Sequence, residues 1–105
     1  MHLIYITFPS KQEAIKIANM LIKNKLAACA NIYEGVTSIY EWEGKVQQNE
    51  EVTMLCKVSG HIVDEVISKV TRMHVNACPC IISIKVEKGN EDFLKWVETC
   101  CKVPY

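Results

Sequence analysis

Arginine is almost missing from this chain. Arg72 is the single guanidinium, and the twelve basic residues are matched by twelve acidic ones. That neutral balance removes the clustered cationic surface through which nucleic-acid binders release counterions. One arginine also leaves no repeated bidentate grip on phosphate, so no nucleic-acid partner is expected. Long apolar runs are absent: none approaches the ~20 residues that cross a bilayer, and no membrane span is expected. The opening MHLIYITFPSKQE has neither the basic start nor the small-residue cleavage site of a secretory leader. No Asn-x-Ser/Thr acceptor occurs, and the chain reads as cytosolic (cytoplasmic). Glycine is scarce too. Gly35, Gly44, Gly60 and Gly89 stand singly, which excludes a glycine-rich phosphate cradle.

Cysteine is plentiful by contrast, at positions 29, 56, 78, 80, 100 and 101. Without a secretory leader these do not read as a disulfide framework, and none of them has the C-x2-C spacing of a structural zinc site. Free cysteine behaves as a small buried hydrophobe, so most of the six are expected in the core. At 105 residues, half of them hydrophobic, the chain is expected to be one domain spanning residues 1–105. A domain of that length buries roughly two-thirds of its unfolded surface.

Hydrophobic periodicity sets the order of elements. Leu3 to Phe8 is an apolar strand closed by Pro9. Ser10 and Glu13 form a capping box, and Ala14, Ile17, Ala18, Leu21 and Ile22 recur at helical spacing to about Asn24-Lys25. LAACANI is too short for a helix and reads as a buried strand. A bend at Glu34-Gly35 leads into Val36 to Trp42, Gly44 turns the chain, and Val46 to Val58 returns antiparallel. Ser59 is expected to cap a second helix with Ile62, Val63, Val66, Ile67, Val70 and Met73 on one face. Pro79 cannot continue it. Cys80 to Val86 is the fourth strand, and a terminal helix follows with Phe93, Trp96, Val97 and Cys100 inward. The order is that of an α+β, ferredoxin-like βαββαβ sandwich with an extra C-terminal helix.

One strand is too long for this domain. Thirteen residues from Val46 to Val58 at ~3.3 Å each extend about 40 Å, whereas a domain of this length has a radius of gyration near ~13 Å. The tip around Trp42-Glu43-Gly44-Lys45 should project, and Tyr40, Trp42 and Val46 upon it call for cover by another chain. A closed ring of identical subunits paired through this long hairpin meets that need.

The chain resembles the CutA family, named for divalent-cation tolerance. The resemblance rests on KLAACANI (25–32), SIYEWEGKVQQNEE (38–51), MLCKVS (54–59), His74, Pro79 and DFLKWV (92–97). It implies an intertwined homotrimer, similar in architecture to the PII signalling proteins. It also implies an association with tolerance of copper and other divalent ions, without an agreed enzymatic activity. Where the family shows His-Pro-Tyr-x-x-Pro-Glu, this chain has His74-Val75-Asn76-Ala77-Cys78-Pro79-Cys80; the histidine and second proline stay, while tyrosine and carboxylate are replaced.

Two candidate sites follow. His74, Cys78 and Cys80 offer one borderline and two soft ligands, a set suited to Cu(I) or zinc rather than magnesium or calcium. The plainer alternative has His74 as an imidazolium at the second helix's C-terminus and Cys80 in the core. Lys57, Glu50 and Glu51 are candidates for a small ligand in an inter-subunit cleft, with one of the two carboxylates as partner for the strand-borne Lys57. His74 could serve as base to a cysteine nucleophile, but no nucleophile signature surrounds Cys78 or Cys80. The chain is therefore read as non-enzymatic. A protein partner, if one exists, is not named by any motif.

Overall fold

The computed structural model describes residues 1–103. Four strands and three α-helices follow in the order β1 (His2–Phe8), α1 (Lys11–Lys23), β2 (Cys29–Trp42), β3 (Lys45–Val58), α2 (Val63–Met73), β4 (Ile81–Lys85) and α3 (Glu91–Cys100). The sheet is antiparallel with strand order β2-β3-β1-β4, so the central pair β3 and β1 is flanked by two edge strands. This is the α+β sandwich that the order of elements predicts.

Local chemistry explains the boundaries. Ser10 Oγ accepts the Glu13 amide at 3.3 Å and starts α1. At the other end the Leu26 amide reaches back to the Leu21 carbonyl at 2.8 Å and the Lys25 amide to that of Ile22 at 3.1 Å. That pairing is a Schellman motif, and Lys25 takes its left-handed position with φ 56. The hairpin turns through Glu43 (φ 52) and Gly44 (φ 78), a two-residue loop with both central residues left-handed, which suits the twist of the flanking strands.

Three boundaries differ from expectation. The bend at Glu34-Gly35 does not divide β2; it is a register shift between Tyr33 and Val36, with Gly35 at φ 72 supplying the left-handed residue such a bulge uses. Ser59 does not cap α2. A 3-10 turn over Gly60–Ile62 intervenes, and the fully buried Ser59 hydroxyl donates to Glu98 Oε2 of α3 at 2.7 Å. In α3 the buried residue is Val97, with Cys101 just beyond the helix. Phe93 and Trp96 remain 39% and 45% exposed, so the inward stripe is rotated by about one residue from the expected one.

The core lies between the helices and one face of the sheet. Ile4, Ile6 and Phe8 of β1 and Met54, Cys56 and Val58 of β3 are buried there against Ala14, Ile17 and Leu21 of α1 and Val66 and Val70 of α2. Each of the Val, Leu, Ile, Met and Phe side chains among them contributes about 1.5–3 kcal/mol of transfer free energy. Alternation along the strands and their register put Leu3, Tyr5, Leu55, Lys57, Ile82 and Ile84 together on the opposite face, which carries no helix. Ile82 and Ile84 are exposed there.

Beyond Phe8↔Val52, where β1 stops pairing with β3, β2 and β3 continue alone as a ribbon to Trp42↔Lys45. The molecule accordingly measures 45 × 26 × 22 Å, with a radius of gyration of 14.4 Å. Ile39, Trp42 and Val46 on this ribbon are 66%, 61% and 76% exposed.

Candidate functional site

His74 is the pivot of the corner between α2 and β4. Its backbone amide closes the last turn of α2 on the Val70 carbonyl at 2.8 Å, and it then leaves the helix with extended geometry. The ring stacks on Phe8, centroids 4.9 Å apart and planes inclined by 12°. Its Nδ1 lies 3.0 Å from the Asn76 backbone amide, which can only donate, so Nδ1 is the acceptor. The proton is therefore on Nε2, which donates to the Thr7 carbonyl at 2.8 Å. This fixes a neutral tautomer. His74 is thus no imidazolium cap on the helix; its charge-free ring ties the corner to the end of β1.

The same arrangement bears on metal chemistry. A histidine that ligates a metal ordinarily donates its other ring N–H to a carbonyl or carboxylate, which sets the tautomer and raises ligand basicity. Nε2–H on the Thr7 carbonyl is such a bond, and the Nδ1 lone pair is directed to the corner loop, where the Asn76 amide holds it.

Cys78 and Cys80 lie on that loop, and both are exposed. The alternative that packs Cys80 in the core is overturned. Strand β4 begins one residue later, at Ile81, although the Cys80 carbonyl still accepts the Thr7 amide at 3.3 Å. Of the six thiols, Cys56 and Cys101 are buried and Cys29 and Cys100 are half-buried. Burial pushes the Cys56 thiol up to about 12 from 9.0, with proximity to Cys29 adding to the effect. The exposed sulfur among the described residues is therefore concentrated at the corner.

A cavity of about 630 Å³ opens beside the corner, bounded by Thr7, Cys78 and Cys80 on one side and by Tyr40, Trp42 and Glu51 of the ribbon on the other. Glu51 therefore joins the two thiols across one opening, a grouping that spacing along the chain does not reveal. Among the described residues no set of three or more histidine, cysteine or acidic side chains is close enough to enclose an ion.

Glu50 and Lys57 are elsewhere. Glu50 lines a second, smaller cavity of about 350 Å³ at the start of α1, shared with Glu51, Ser10, Lys11 and Glu34; Lys11 and Glu34 form an ion pair there at 3.4 Å. Lys57 is six or seven residues further along β3, about 20 Å away at the strand rise. Its ammonium donates to the side-chain oxygen of Asn31 on β2, so neither expected carboxylate is its partner within the chain. The register explains the pairing: Cys29 stands opposite Lys57 and Asn31 opposite Leu55, which makes Asn31 the diagonal neighbour within a lysine's reach, a relation the sequence alone does not reveal. The carbonyl of Thr7 carries no sequence signal either.

Comparison with known proteins places this architecture. The family model of the CutA1 divalent ion tolerance protein matches residues 2–100. The divalent-cation tolerance protein CutA of Archaeoglobus fulgidus is 42% identical over 95 residues, covering 90% of this chain and 92% of the relative. Human protein CutA is 36% identical over 93 residues, 89% of this chain but only 52% of the human protein. Among solved structures, CutA1 of Pyrococcus horikoshii superposes with a TM-score of 0.93 at 35% identity, covering 98% of this chain and all of that one. The Archaeoglobus fulgidus structure, described as a periplasmic divalent cation tolerance protein, gives 0.91 at 42% identity over 95% and 98% of the two chains. The chain belongs to the CutA1 divalent ion tolerance family.

Proposed function

We propose that this CutA-family chain acts as a homotrimer in the response to divalent metal ions, copper foremost, and that it takes a soft ion at the corner cavity. The observation that carries the reading is the convergence of the Cys78 and Cys80 thiols with Glu51 on one opening, beside a histidine whose Nε2–H is already anchored on a backbone carbonyl. Thiolate and imidazole donors suit Cu(I) and zinc. Cys78 and Cys80 would hold the ion, and His74 Nδ1 would join them by releasing the Asn76 amide. Glu51 supplies a negative charge at the cavity mouth, and the bound ion would supply the signal.

Three features support the trimer: the projecting ribbon, its exposed Ile39, Trp42 and Val46, and a sheet face without helices. Among the described residues one chain brings together no ion-enclosing set, so a second subunit closing the cavity across Tyr40 and Trp42 would complete the cleft. The six free thiols support a reducing, cytosolic setting. Lys57, far from the corner, is placed on the helix-free face and belongs to the assembly rather than to the ion. No step of a chemical reaction is assigned to this site.

Anaerobic titration of the reduced protein with Cu(I) and with Zn(II) against a competing chelator, read by native mass spectrometry, tests both halves. The expected result is a trimer taking up one ion per subunit, with affinity falling at least about tenfold in Cys78→Ser/Cys80→Ser, as ligand loss entails. Undiminished affinity in that variant would remove the corner as the site. Uptake without stoichiometry would shift the function to a PII-like scaffold acting through a protein partner.

A further inference from the structure

The corner has a second chemistry, distinct from ion binding. Cys78 and Cys80 are the only two exposed cysteines among the described residues, they are separated by Pro79 alone, and both line the same cavity. Both residues therefore border one opening. Two residues of chain span at most ~7 Å between Cα atoms, and a disulfide requires about 4.4–6.8 Å. Cα atoms two residues apart can therefore lie within the range that a disulfide needs.

The two cysteines differ in backbone support. Cys80 is held, its carbonyl in the ladder to Thr7, whereas no backbone hydrogen bond of Ala77 or Cys78 occurs among the described residues. The backbone is thus anchored at Cys80 and carries no such bond at Cys78. The remaining cysteines are poor competitors: Cys56 and Cys101 are buried, and Cys29 and Cys100 are half-buried.

We propose that Cys78-Pro79-Cys80 is a redox modification site, a dithiol that a low-molecular-weight disulfide such as oxidised glutathione converts to an internal disulfide. A consequence, resting on the ion site proposed above, is that closure withdraws both sulfurs from the ion. The thiolate of Cys78 attacks one sulfur of the small disulfide, forming a mixed disulfide and expelling one small thiolate, which takes up a proton. The Cys80 thiolate then attacks the Cys78 sulfur and expels the second. Two protein S–H groups are lost, one S–S bond is gained, and the small disulfide is reduced to two thiols. A ring this short is strained, and strained, exposed disulfides have the higher potentials of labile, regulatory pairs.

The test uses the intact protein without metal. Reduced protein is equilibrated in glutathione buffers of graded ratio, trapped with iodoacetamide and weighed intact. Cys78 and Cys80 should lose their alkylation together, giving a species lighter by a pair of hydrogens and carrying no glutathione. Cys80→Ser should instead retain one glutathione on Cys78, since the resolving thiol is gone. Separate glutathione adducts on both cysteines of the parent protein, or linkage between chains on a non-reducing gel, would overturn the proposal, as would full alkylation at every ratio. Cu(I) titration of the oxidised species then separates the two readings. A disulfide that forms in a protein whose reduced state never bound Cu(I) leaves the redox pair standing and defeats the ion site. Stoichiometric Cu(I) uptake with no disulfide at any ratio defeats the redox pair alone.

Discussion

Replacing His74 by alanine should destabilise the metal-free protein substantially, because the ring is a structural tie before it is anything else. Two losses can be counted. The Thr7 carbonyl loses the Nε2–H donor at 2.8 Å, and Thr7 is only 8% exposed. A buried carbonyl left without a donor costs about 1–3 kcal/mol. The stack on Phe8, with centroids 4.9 Å apart, adds about 0.5–1.5 kcal/mol. Water reaches part of the vacated space, since the imidazole is half-buried, so the lower part of the combined range applies, about 2 kcal/mol. For a chain of this size that corresponds to a midpoint lowered by roughly 8–16 °C. Urea unfolding followed by circular dichroism, at equal protein concentration for both variants and with chelator present, measures it. His74→Phe serves as the internal control: it keeps the stack, loses both hydrogen bonds, and should recover about 1 kcal/mol of the loss. Stability of His74→Ala within about 0.5 kcal/mol of the parent would refute the reasoning, leaving the histidine free for a purely ligating role.

Lys25 occupies the left-handed position that closes α1, at φ 56, where a side chain is disfavoured by about 1–2 kcal/mol. Lys25→Gly should raise stability by about 0.5–1 kcal/mol after allowing for the looser unfolded chain; a lower urea midpoint would contradict this. The Cys56 thiol, pushed up to about 12 from 9.0 by burial, makes stability fall with alkali. Below 9.0 both states keep the proton and the full stability is present; as the pH climbs toward about 12 only the unfolded chain deprotonates, at a loss of about 1.4 kcal/mol per unit. Cys56→Ala should flatten that decline, and parallel stability profiles for the two proteins across this window would sink the assignment. Val46 is 76% exposed on the ribbon, so Val46→Asp should alter the stability of a single chain by less than about 0.5 kcal/mol. It should nonetheless shift the proposed trimer toward smaller species in sedimentation velocity, and an unchanged assembly would deny the ribbon its proposed role.

The element order, the sandwich and the projecting hairpin are legible along the chain. These depend on short-range rules: the period of two in Val52, Met54, Cys56 and Val58, the period near 3.6 in Ala14, Ile17 and Leu21, the capping Ser10, and a strand longer than its domain. Short-range rules failed where two local options were nearly equal. Leu94 with Val97 and Phe93 with Trp96 are neighbouring stripes on one short helix, and only docking of α3 against Ser59 and the core chose between them. The family motif drew attention to His74, Cys78 and Cys80. It did not disclose that His74 is bound to a carbonyl 67 residues away, that the two thiols share their opening with Glu51, or that Lys57 is held by Asn31 instead of by Glu50 or Glu51. Those pairings depend on strand register and on where the α2–β4 corner meets β1. They are long-range contacts, decided when the sheet assembles, and no spacing along the chain encodes them.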